Sequence, residues 1–303
     1  MCGVALPKAL LSTPIGNLTG HWEPSAAIRL NDAFLFASSS SWWDPSLWLQ
    51  VGAPPSPRRL AKLAKKVAGF LDGQLGHGDL FVIKEPRIPV LFEHWLEAAR
   101  QAGFTCKIVH VHRHPEEVAA SLRERDGLVR DHSYLLWVKN NLLGERYTRD
   151  YPRVFLSYDD VLRDWRGSLE RLIAVLDLKL DLPPSQSVED FLSPELRHHT
   201  APTEVVDDPT PARWASRIYA ALQGASAHGI DTTVMNCVFD EFVAWDRASR
   251  NGIENRQQQW TAWFLQFRLL ARLRRRPDQW YHRWFADALE HQGGRSRTRP
   301  ANC

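Results

Sequence analysis

The sequence predicts an α/β fold: parallel strands joined through helices, followed by a helical C-terminal extension. Three observations predict it. Short stretches at 79–83, 107–112 and 153–157 are apolar or alternate apolar with polar, and each is followed by helical periodicity. That order, strand–helix–strand–helix–helix–strand–helix, is the one right-handed crossovers produce. A charged cluster, Lys84-Glu85-Pro86-Arg87, stands at the carboxyl end of the first of these strands, where open parallel sheets bind ligands.

Composition bounds the rest. A chain of 303 residues with 44% hydrophobic and 24% charged residues has ample apolar content for a core. The net charge of +3 is too small to imply nucleic acid, but it allows a mildly basic cleft for an anion. No apolar run approaches the roughly 20 residues a membrane span needs, and no secretory signal precedes the first loop. Cys2, Cys106, Cys237 and Cys303 have neither paired nor metal-like spacing, which fits a reducing compartment. The expectation is a cytoplasmic protein with no membrane span and no nucleic-acid partner. Its parts are an α/β domain over 1–205, a helical extension over 206–291 packed on it, and a disordered tail over 292–303.

In chain order, residues 1–12 hold too few apolar side chains for an element of their own. Residues 13–24 are a loop by their Pro, Gly and Asn content. Glu23 sits there between Trp22 and Pro24. A carboxylate beside an aromatic can be a base of raised pKa, or it can cap the helix that begins near Ser25, which spacing favours. Residues 25–37 are helical. Residues 38–58 form a Ser-, Pro- and Trp-rich loop, long enough to be functional. Residues 58–75 are a basic amphipathic helix carrying Leu60, Leu63, Val67, Phe70 and Leu71.

Residues 79–83 read as a buried strand, 90–102 as a helix, and 107–112 as a strand with Arg113 at its end. Pro115 then opens a helix, with Glu116 and Glu117 in the first turn where the helix dipole favours negative charge. Ser121 lies about two turns along it. A strand end, a guanidinium and a helix hydroxyl can grip a phosphate; an ordinary strand-to-helix turn with a surface Arg is the other reading. Residues 132–149 are a helix, 153–157 a strand, and Tyr158-Asp159-Asp160 cap a helix running to about 176. The adjacent His198 and His199 face different ways, so they make a poor metal pair. Residues 212–224 and 231–249 are helices. Residues 255–291 are Trp-rich, either docked by their aromatic face or presented to a partner or membrane surface.

Five of these pieces together resemble the sulfotransferases that use 3′-phosphoadenosine 5′-phosphosulfate, in the bacterial branch similar to the tyrosylprotein enzymes. They are Gly20-His21-Trp22-Glu23, Lys84-Glu85-Pro86-Arg87, Arg113-His114-Pro115-Glu116-Glu117-Val118-Ala119-Ala120-Ser121-Leu122, Ser157-Tyr158-Asp159-Asp160 and Leu196-Arg197-His198. The resemblance spans residues 20–200. It implies a P-loop-NTPase-like three-layer sandwich and sulfuryl transfer to a hydroxyl of a small molecule or glycan. It implies that Arg113 and Ser121 hold the 3′-phosphate and that Tyr158 lies near the adenine or that phosphate. Lys84 would stabilise the departing phosphate, and Glu23 would be the base, with His21 a weaker substitute and Arg87 a contact to either ligand. No metal is required by this chemistry, since protein cations can supply the charge.

One departure stands out. The family begins with a strand and a phosphate-binding loop that opens a helix. Nothing before Thr13 supplies them, and Met1–Leu11 read as the end of that first helix. The expectation is therefore a chain lacking the first strand and half of the donor site, through a late start, truncation or degeneration, with weak or absent activity. A non-catalytic descendant that binds an acceptor or a protein partner is the alternative. A P-loop kinase is disfavoured, because no Gly-x-x-x-x-Gly-Lys-Ser/Thr occurs.

Overall fold

The computed structural model describes residues 4–10, 22–74, 80–189, 192, 210–225 and 229–250. Along the chain run α1 (Ser25–Ala37), a π-helical turn (Trp48–Gly52), α2 (Pro57–Asp72), α3 (Ile88–Gln101), β1 (Ile108–His112), α4 (Pro115–Asp126) and α5 (Arg130–Tyr147). Then follow β2 (Arg153–Ser157), α6 (Tyr158–Arg163), α7 (Trp165–Leu176), the short α8 (Ser185–Glu189), α9 (Thr210–Gln223) and α10 (Thr232–Arg250). The fold is α/β and mostly helical, around a parallel pair of strands.

The helices start and stop where side-chain chemistry dictates. In α2, Leu63, Val67 and Leu71 repeat every four residues and all are buried. The ring of His114 accepts the Glu116 N–H at the start of α4, and Gly127 ends that helix at φ 71°. Where one helix was expected over 158–176 there are two. The Asp164 backbone is extended, and its carboxylate takes the Gly167 N–H at 2.9 Å, so Asp164 ends α6 and caps α7.

The centre of the molecule is α5. Tyr134, Leu135, Trp137, Val138, Leu142 and Leu143 are all buried on it, and it packs against α3, α4, α9 and β1. Trp214 and Ile218 of α9 and Phe242 of α10 belong to the same core. On the other side of the sheet, α7 covers Val154 and Leu156 of β2.

Strand β1 turns its histidines inward. In a parallel pair, residues in register share a face, and His110 is level with Phe155 while His112 is level with Ser157. Phe155 belongs in the core, so His110 goes in with it, the two rings 5.0 Å apart. Val109 and Val111 are left outside, 41% and 59% exposed. Gly144 of α5 leaves room for His110: a Cβ there would stand 3.0 Å from the ring nitrogen Nε2.

Two expectations are corrected. Among the described residues, 80–83 form no full strand; Phe81 makes a single parallel bridge with Ala5. Residues 4–10 are not the end of a helix. The Ala5 N–H donates to the Leu80 carbonyl, and the Ala5 carbonyl accepts from the Val82 N–H, both at 3.1 Å. The start of the chain is thus held by an extended backbone pairing.

The buried histidines make stability pH-dependent. Burial pushes the His112 imidazole down to about 4 and that of His110 to about 3. The unfolded chain takes up those protons near pH 6.5, so the folded state loses stability as pH falls from about 6.5 towards 4. His112 alone accounts for up to about 3 kcal/mol of that loss. Urea denaturation across this range should show it, and His112→Gln should flatten the profile.

Candidate functional site

Two groups of side chains named from the sequence meet across long stretches of chain. Lys84 follows the extended 80–83 segment, and its ammonium lies 2.7 Å from Oε1 of Glu23, 61 residues away. The lysine side chain is 54% exposed and that of Glu23 only 10%. Glu23 does not cap α1: the N-cap is Pro24, with no side-chain bond to the helix. The carboxylate is occupied by the lysine instead.

Beneath this pair the chain is held by a buried polar network. Glu85, one residue on, points inward. Its carboxylate accepts from the Asn31 amide (2.6 Å), the Arg87 N–H (3.1 Å) and the Arg87 guanidinium. Asn31 in turn accepts from the Trp95 indole at 2.9 Å, and Arg87 reaches Asp32. Burial raises the Glu85 carboxyl above its ordinary range; Arg87 and Asn31 pull it back, and the nearby Glu23 charge pushes it up further. The turn 84–87 is therefore fixed to both α1 and α3.

The second group sits at the carboxyl ends of β1 and β2. The register sets His112 level with Ser157, so the residues that follow, Arg113 and Tyr158, become neighbours. The Arg113 guanidinium carbon lies 4.8 Å from the centre of the Tyr158 ring. Its Nε donates to Glu117 at 2.7 Å, and its carbonyl accepts from the Trp137 indole at 3.0 Å.

Helix α4 runs from the second group towards Trp42. Glu117, Ser121 and Arg125 follow each other every four residues on α4 and form one ridge. Ser121 is half-buried on it. The guanidinium of Arg125 lies 5.9 Å from the Trp42 ring, and so does that of Arg87. Trp42 thus lies between Arg125 of α4 and Arg87 of the 84–87 turn. Trp42 is carried by the long 38–56 segment, and α5 holds that segment in place. His132 meets the Trp43 carbonyl and the buried Lys139 donates to that of Asp44, both at 2.7 Å.

The sequence gives Glu117 only a place in the first turn of α4 and does not single out Trp42. The four-residue step from Arg113 to Glu117 was a legible sign of the first; nothing local marks the second. Gly20, His21, Leu196-Arg197-His198 and the Trp-rich stretch 255–291 lie outside the described residues. Among the described residues, no group of three or more His, Cys, Asp or Glu side chains has metal-binding geometry, and no helix is long and apolar enough to cross a membrane. Compared with models of protein families, with curated proteins and with solved structures, the chain matched none.

The network under Lys84 can be tested alone. Asn31→Ala would strip the buried Glu85 carboxylate of a donor and the Trp95 indole of its acceptor. The expected cost is about 3 kcal/mol, read as a lower urea midpoint.

Proposed function

We propose that this protein is a sulfotransferase, moving a sulfuryl group from 3′-phosphoadenosine 5′-phosphosulfate to a hydroxyl of a small molecule or glycan. The observation that carries the proposal is the 2.7 Å contact between Glu23 and Lys84. A carboxylate suited to take a proton and a cation suited to meet a departing phosphate stand together, at the end of an extended segment that bridges in parallel to Ala5. The P-loop-NTPase-like sandwich belongs to the same proposal. The extended pairing of Ala5 with Phe81 supports it by supplying a parallel neighbour to the segment that ends at Lys84.

The residues fit such a donor. Arg113 is the cation at the strand edge. It has Ser121 further along the α4 ridge, and a guanidinium and a hydroxyl are donors suited to a phosphate. In the reaction, Arg113 and Ser121 hold the 3′-phosphate. Glu23 takes the proton of the acceptor hydroxyl as its oxygen bonds to sulfur. Lys84 stabilises the charge that gathers on the bridging oxygen as the sulfur–oxygen bond to the departing phosphate breaks. At rest the lysine neutralises the carboxylate, so the two must separate before either acts. Lys84 is the exposed partner and the one able to move. Engagement of Lys84 by the phosphate therefore frees Glu23.

Isothermal titration with 3′-phosphoadenosine 5′-phosphate should show micromolar binding that Arg113→Ala abolishes. Complete absence of binding would favour a non-catalytic binding protein. Glu23→Gln should lower kcat by about 100-fold while leaving the affinity for that nucleotide within about threefold. Lys84→Ala should lower kcat by about 100-fold while weakening binding of that nucleotide only about tenfold. Unchanged turnover in either variant would remove that residue from the mechanism.

A further inference from the structure

We propose that Glu117 and the ring of Tyr158 form a positioning clamp on Arg113, which sets how strongly the protein distinguishes nucleotides with a 3′-phosphate from those without; this rests on the reading above. Arg113 leaves β1 with its backbone tied to Trp137, so its side chain starts from a fixed point. Nε then donates to Glu117 at 2.7 Å. The Glu117 side chain is 1% exposed, and a buried carboxylate is costly unless a cation pairs with it. The pair therefore resists opening, and the long arginine side chain loses its rotamer freedom before any ligand arrives. Across the guanidinium face lies the Tyr158 ring at 4.8 Å. One contact fixes an edge of the planar group and the other its plane. A guanidinium fixed in advance loses less freedom when it binds a phosphate.

Electrostatics alone predicts the opposite sign. Glu117 is an anion beside the arginine, and removing its charge would by itself tighten the binding of any anion. A clamp predicts weaker binding, and only for ligands that reach Arg113. The two accounts can therefore be separated by one ratio, the affinity for adenosine 3′,5′-bisphosphate over that for adenosine 5′-monophosphate.

The experiment is isothermal titration of the full chain with both nucleotides. The unaltered protein should prefer the bisphosphate by about 10- to 100-fold, the range for a hydrogen bond to a charged group. In Glu117→Gln that preference should fall about 5- to 10-fold, with monophosphate affinity unchanged. Tyr158→Leu, which alters the half-buried side of the clamp, should also lower the bisphosphate preference and serves if the buried substitution impairs folding; a lost adenine contact there weakens both nucleotides alike and leaves the ratio to report the clamp. A ratio that is unchanged or larger in Glu117→Gln overturns the clamp while leaving the donor reading intact. No preference for the bisphosphate in the unaltered protein overturns both.

Discussion

A helix buried on almost every side must dispose of its polar side chains, and α5 does so by holding other parts of the molecule. His132 and Lys139 grip two carbonyls of the segment that carries Trp42. The indole of Trp137 takes the carbonyl of Arg113. Glu145, also buried, collects Arg149 and Arg153 and so ties the start of β2 to the helix. Each polar group on α5 would be expensive inside the protein without its partner. The same bonds that make the helix tolerable as a core element set the positions of the strand edge and the tryptophan segment.

Three of the buried carboxylates follow a common rule. Glu85, Glu117 and Glu145 each meet an arginine from a nearby turn. Such pairs add little net stability, because the cost of removing both charges from water offsets their attraction. Their effect is geometric. They choose one arrangement of the 84–87 turn, one orientation of Arg113 and one docking of β2, and two of those three concern the proposed site.

The sequence revealed local features well and distant meetings poorly. The periodic apolar positions of α2 and α3 marked those helices closely, and the alternation at 108–112 and the apolar run at 153–157 marked both strands. The partner of Glu23 was beyond reach, because a contact 61 residues away leaves no trace in spacing, and a nearby helix start offered a simpler use for the carboxylate. The break at Asp164 was missed because the apolar periodicity runs on through it. The opening residues were misjudged for a different reason. A handful of apolar side chains fits a frayed helix as well as an extended pairing, and only the 80–82 segment decides between them. Of the site, Arg113, Ser121 and Lys84 were each legible as candidates in the residues themselves. Tyr158 was placed by resemblance, and its stacking on Arg113 depends on strand register.

The outward valines of β1 have a consequence for handling. Among the described residues β1 pairs with β2 alone, and Val109 and Val111 face solvent beside that unpaired edge. Bare hydrocarbon on a strand with one partner among the described residues is an adhesive surface. In concentrated solution, self-association through this strip would set in while the core is still intact, so clouding would precede melting.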